Sequence, residues 1–169
     1  MATNLQFIKS VSGTSVSSLS VTDCFSDKYD VYQITVVESD TSGTGWQKIN
    51  FIDSGGIDTT ANYDYANLQL LTYAGFGENG YTNQTNFPLI WYQDENPTDF
   101  GGFTGYVFNP YDSSSYTFFK SQGMGIISTN AVGTKNIGVH KVAEQITGIA
   151  FTPPSGTYDS LTVNVYGVK

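Results

Sequence analysis

Apolar residues recur along the chain in short runs, often at alternate positions, and each run is closed by Gly, Asp, Asn, Ser or Pro. This is the pattern of strands and turns; the spacing of an amphipathic helix is nearly absent. Leu161–Val168 alternates most cleanly, with Leu161, Val163 and Val165 on one face and Thr162, Asn164 and Tyr166 on the other. Tyr29–Glu38 predicts a long strand with Tyr32, Ile34 and Val36 on one side and Gln33 and Thr35 on the other. Trp46–Asp53, Tyr65–Thr72, Phe87–Tyr92, Phe103–Phe108, Tyr116–Lys120, Met124–Ser128 and Gln145–Phe151 predict further strands. Gly138–Lys141 also reads as strand, and Leu19–Phe25 as a strand or a short turn. Gly75–Asn86, rich in glycine and polar residues, predicts a mobile excursion.

Strands at this spacing, with no helix between them, predict an all-β fold: a jelly-roll-like antiparallel β-sandwich in a single domain. Residues 21–169 make up the sandwich. Residues 1–20, uncharged apart from Lys9, form an N-terminal arm or an edge strand suited to pairing with a neighbour. A chain of 169 residues buries roughly 70% of its unfolded surface and needs neither disulfide nor metal to fold. The one cysteine, Cys24, rules out an internal disulfide and reads as a buried, inert thiol.

Charge narrows the function. The seven basic residues are all lysines, against fifteen acids, for a net charge of -8. Arginine is the usual residue for bidentate recognition of phosphate and guanine, and an acidic chain without it is a poor binder of nucleic acid. An anionic membrane would repel it, and no apolar run is long enough to span one. Charged residues make up only 13% of the chain, so its polar surface is mostly Ser, Thr, Asn, Gly and Tyr. Met1-Ala2-Thr3-Asn4 lacks the basic and apolar regions of a signal peptide. Synthesis in a host cytoplasm, with export by assembly into a particle, is the expectation.

The groups that do chemistry are scarce. His140 is the only histidine and falls in a strand. No nucleophile elbow, phosphate-binding loop or zinc-protease helix is present, and Gly123-Met124-Gly125 is a bare Gly-x-Gly without a following helix. Asp23, Asp27 and Asp30, and the run Asp94-Glu95-Asn96, carry oxygen ligands of the type calcium takes, but neither matches an EF-hand loop. Turn chemistry explains both. The expectation is therefore no enzyme, no catalytic residue, no cofactor and no metal.

Aromatic residues are abundant: twelve Tyr, eleven Phe and two Trp. Most suit a sandwich core. Trp91, Tyr92, Tyr106, Phe108, Tyr111 and Tyr116, in the turn-rich middle third, are candidates for an oligomer interface or a glycan-stacking platform.

Three ordered segments carry a resemblance: Phe25–Ile34, Ile52–Tyr65, and Ile146–Phe151 followed by Ser155–Ser160 and Val165–Lys169. Together they resemble structural proteins of tailed bacteriophages, especially those of marine and cyanobacterial hosts. The resemblance implies a surface-presented virion domain, commonly trimeric. A capsid decoration (cement) protein that binds the major capsid protein on the head exterior is the first expectation. The alternative is a receptor-binding tail-fibre or head-fibre domain that recognises a host-surface glycan.

Overall fold

The computed structural model describes residues 4–94 and 100–169, with the side chains of Ser39 and Asp40 set aside. Fourteen strands account for most of them: β1 Leu5–Gly13, β2 Leu19–Val21, β3 Val31–Thr41, β4 Gly45–Trp46, β5 Lys48–Asp53, β6 Gly56–Ile57 and β7 Tyr63–Leu71 in the first half. The second half supplies β8 Gly75–Gln84, β9 Tyr92–Gln93, β10 Gly101–Phe108, β11 Thr117–Ile127, β12 Asn130–His140, β13 Gly148–Thr152 and β14 Tyr158–Val168. The described residues contain no helix long and apolar enough to cross a membrane.

An eight-stranded antiparallel sheet runs β1-β14-β3-β10-β11-β12-β7-β8 and faces a four-stranded sheet, β2-β13-β5-β6. The two layers close on one hydrophobic core. Tyr32, Ile34, Phe103, Leu161, Val163 and Val165 come from the large sheet; Val21, Ile49, Phe51, Ile149 and Phe151 come from the small one. Phe103 and Phe151 meet across the gap with ring centroids 6.2 Å apart. The fold is therefore an antiparallel β-sandwich of jelly-roll type, as the alternation predicts. β1 takes the N-terminal residues into the large sheet as an edge strand on β14, with a bulge between Phe7 and Lys9.

Four local expectations change. Gly75–Asn86 is mostly strand β8, paired with β7 from Leu71↔Gly75 to Tyr63↔Gln84, because ladder partners order a glycine-rich run that sequence alone reads as loose. Tyr116–Lys120 and Met124–Ser128 belong to one continuous strand, β11, matched residue for residue with β12. Trp46–Asp53 divides into β4 and β5 at Gln47, whose N–H turns to donate to the Trp91 carbonyl at 2.9 Å. Phe87–Tyr92 is not a strand: apart from a bridge at Ile49↔Phe87 and the first residue of β9, it crosses the inner face of the large sheet as irregular chain.

That crossing explains Gly123-Met124-Gly125. A Cβ on Gly123 would lie 2.4 Å from the Ile90 carbonyl oxygen, and one on Gly125 would collide with that of Tyr92. These glycines let the backbone pass directly over β11.

Candidate functional site

The register fixes which side chains share the outer face of the large sheet. One cross-strand row runs Thr162, Val37, Gly102, Met124, Gly133, Leu70 and Phe76. The next runs Asn164, Thr35, Thr104, Gln122, Lys135, Leu68 and Glu78. The third runs Tyr166, Gln33, Tyr106, Lys120, Ile137, Ala66 and Gly80, and the fourth Val31, Phe108, Phe118, Val139 and Asp64.

The face has two halves. Over β14, β3 and β10 the middle rows carry hydroxyls, amides and phenols. Over β12, β7 and β8 the first three rows carry Leu70, Phe76, Leu68 and Ile137 around Lys135 and Glu78, bordered by Phe118 and Met124 on β11. All six apolar side chains are exposed: Phe76 by 77%, Met124 by 71% and Ile137 by 62% of their surface. A shallow depression of about 580 Å³ lies in this half, with Ala66, Phe108, Phe118, Ile137 and Val139 among its walls.

β12 shows why apolar groups face outward here. Its inner face presents Val132, Thr134, Asn136 and His140, all buried. The irregular Phe87–Trp91 segment satisfies much of that polarity. Thr134 Oγ1 donates to the Ile90 carbonyl at 2.5 Å, Asn136 Nδ2 donates to the same oxygen at 3.2 Å, and Asn67 Nδ2 on β7 donates to the Leu89 carbonyl at 3.4 Å. With the polar set used inside, Ile137 and Val139 occupy the other face of the pleat.

The inner polar side ends in the chain's one chemically suggestive cluster. His140 Nε2 lies 2.5 Å from Asp58 Oδ2 and 3.8 Å from Glu144 Oε1. Burial would raise the Asp58 pKa, but hydrogen bonds from the Thr60 side chain and backbone and from His140 outweigh it and hold the carboxyl below its ordinary value. An ionised carboxylate only accepts, so His140 donates through Nε2–H. Glu144 is pushed the other way, by partial burial and by Asp53. Among the described residues these three are the only His, Cys, Asp or Glu side chains grouped closely enough to suggest a metal site. Two ligands of a tetrahedral zinc would stand roughly 3.3 Å apart. The 2.5 Å contact is therefore a hydrogen bond, and the cluster ties the Asp58–Thr60 turn to β12. Tyr63, 4.7 Å from the imidazole by ring centroids, covers it.

Of the sequence's candidate aromatics, the structure brings together Tyr106 and Phe108. They sit on the outer face of β10 with centroids 6.5 Å apart, and Lys120 Nζ lies 5.2 Å and 5.4 Å from their ring centres. Tyr92 packs against Trp46 between β9 and β4, at 5.1 Å. Tyr111 lines a small cleft with Asp27, Asp30 and Asp112, and Tyr116 is exposed in the turn before β11. Trp91 is a correction: it is fully buried, its Nε1–H donating to Glu38 Oε2 at 2.5 Å, so it fills the core and meets no partner. Of the suggested calcium ligands, Glu95 and Asn96 lie outside the described residues. The outer-face residues Leu68, Leu70, Phe76, Ile137, Lys120 and Lys135 were not singled out from sequence. The available signal was β12, where alternation makes Ala131, Ile137 and Val139 the more apolar set, which points to the face that the structure leaves exposed.

Fold and surface together define a two-layer antiparallel β-sandwich with one open, partly apolar sheet face. No family model matches the chain, and no curated protein matches it. Among solved structures, the galectin LEC-6 of Caenorhabditis elegans aligns with 98% of this chain and 96% of its own, at 12% identity and a TM-score of 0.35. At that score the likeness carries no weight for function, and the sandwich rests on the strand pairing itself.

Proposed function

We propose that this protein is a non-enzymatic virion structural protein, a capsid decoration protein that docks on the phage head through the apolar half of its outer sheet face. The observation that carries the docking surface is the exposure of Phe118, Met124, Ile137, Leu68, Leu70 and Phe76 on four adjacent strands, around Lys135 and Glu78. Large exposed apolar patches mark interaction sites. The viral setting comes from the three phage-like segments. The partners are the major capsid protein and further copies of this chain, in a trimer, on the capsid surface.

The mode of action is binding by shape. A protein that binds only the assembled shell stabilises it by mass action. The chemically able groups support this reading. Desolvation pushes the Cys24 thiol up to about 12, its Sγ–H donates to the Val21 carbonyl at 3.3 Å, and His140 is enclosed with Asp58.

Imaging of particles bearing the tagged protein tests the assignment. Regular density over the head supports it. Density confined to the tail would refute decoration.

A further inference from the structure

We propose a second binding site on the polar half of the same face, for a sugar chain bearing carboxylate or sulfate groups. It borders the apolar docking half along β12, where Lys135 and Ile137 stand, and does not depend on the virion setting.

The first support is the side-chain inventory. Asn164, Thr35, Thr104 and Gln122 form one row; Tyr166, Gln33 and Tyr106 form the next. Hydroxyls, amides and phenols both donate and accept, which matches sugar hydroxyls. Asn164 Nδ2 reaches Thr35 Oγ1 at only 3.4 Å, and Gln33 Nε2 reaches the Tyr106 hydroxyl at 3.4 Å. Both contacts are long, so these groups exchange partners at little cost.

Charge gives the second support. In a chain of net charge -8, Lys120 and Lys135 stand on neighbouring strands at the end of these two rows: Lys120 pairs with Ile137, and Lys135 with Gln122. Among the described residues neither forms an ion pair. Lys120 is held over the faces of Tyr106 and Phe108, which fixes its ammonium at the edge of the polar rows.

The third support is shape. A depression of about 430 Å³ is lined by Thr104, Tyr106, Lys120, Gln122, Lys135 and Ile137. Small-ligand sites span roughly 300–1,000 Å³. A nucleic acid is the less suitable anion, because it lacks the dense ring hydroxyls that these amides, hydroxyls and phenols match.

Calorimetric titration of the full chain with oligogalacturonate, dextran sulfate, neutral dextran and single-stranded DNA decides the matter. Binding of either charged sugar, with dextran and DNA at least about tenfold weaker, supports the site, and the preferred sugar identifies the anion. Lys120→Gln/Lys135→Gln should lower affinity about tenfold or more with an unchanged melting temperature, since both lysines are exposed. A Lys28→Gln control and the docking variant Phe76→Ser should leave it unchanged. The proposal is overturned if neither charged sugar binds, if dextran or DNA binds as well, or if the double lysine variant binds like the parent. Loss of sugar binding with particle docking intact would leave the decoration reading standing, and the reverse result would leave this site standing.

Discussion

The two ends of the large sheet use one pleat in opposite ways. In β14 and β3, Leu161, Val163, Val165, Tyr32, Ile34 and Val36 point into the core and the polar alternates point out. In β12, Thr134, Asn136 and His140 point in, while Ile137 and Val139 point out. Burying polar groups is tolerable only where they are paired. The Phe87–Trp91 carbonyls and the Asp58 carboxylate supply that pairing. The difference teaches that an exposed apolar face can arise because an irregular segment occupies the inner side, and that such a face remains free to bind.

If so, the inner polar groups of β12 should govern stability and its outer apolar groups should not. Asp58→Ala should cost most, about 3 kcal/mol or more in denaturant unfolding, because it strips the buried His140 of its partner and frees the Thr60 turn. A cost below about 1 kcal/mol would show the pair to be idle. Asn136→Ala removes bonds to the Ile90 carbonyl and the Ser121 hydroxyl and should cost about 1–3 kcal/mol. On the opposite face of the same strand, Ile137→Ser should stay within about 0.5 kcal/mol. Equal losses at positions 136 and 137 would break the contrast between the faces.

Acid sharpens it further. The Asp58 carboxyl is held below its ordinary value in the folded chain, so its contribution is full above the unfolded pKa of about 3.9 and is lost as pH falls through the lower folded value. A pH series of unfolding curves should therefore steepen below about pH 4, and Asp58→Asn should flatten that limb. The smallest effect concerns Cys24. With its thiol pushed up to about 12 and buried, it should resist a maleimide reagent at neutral pH and react only on unfolding, as mass spectrometry would record.

Much of the architecture was legible because apolar alternation is a local signal. Leu161–Val168 and Tyr29–Glu38 lie almost wholly within β14 and β3, and their inward faces are the predicted ones. Where order comes from partners, sequence misled: β8 is held by pairing with β7, and Phe87–Tyr92 is apolar because it plugs the core, not because it is a strand. The candidate site was legible in part. Tyr106 and Phe108 do share a face, yet Trp91 is buried, and nothing local to Lys120, Lys135 or Leu68 announces that β11, β12 and β7 stand side by side. Only the ladder register assembles them.

The central claim is that the apolar half of the outer face is the docking surface. Co-sedimentation of the protein with phage heads stripped of it, comparing the parent chain with Leu70→Asp/Ile137→Asp, tests this most directly. Both residues are exposed on the outer face, Leu70 by 45% and Ile137 by 62%, so the variant should fold and melt like the parent. The account predicts saturable binding by the parent and its loss, by about tenfold or more in affinity, in the variant. Undiminished binding by a folded variant would contradict it.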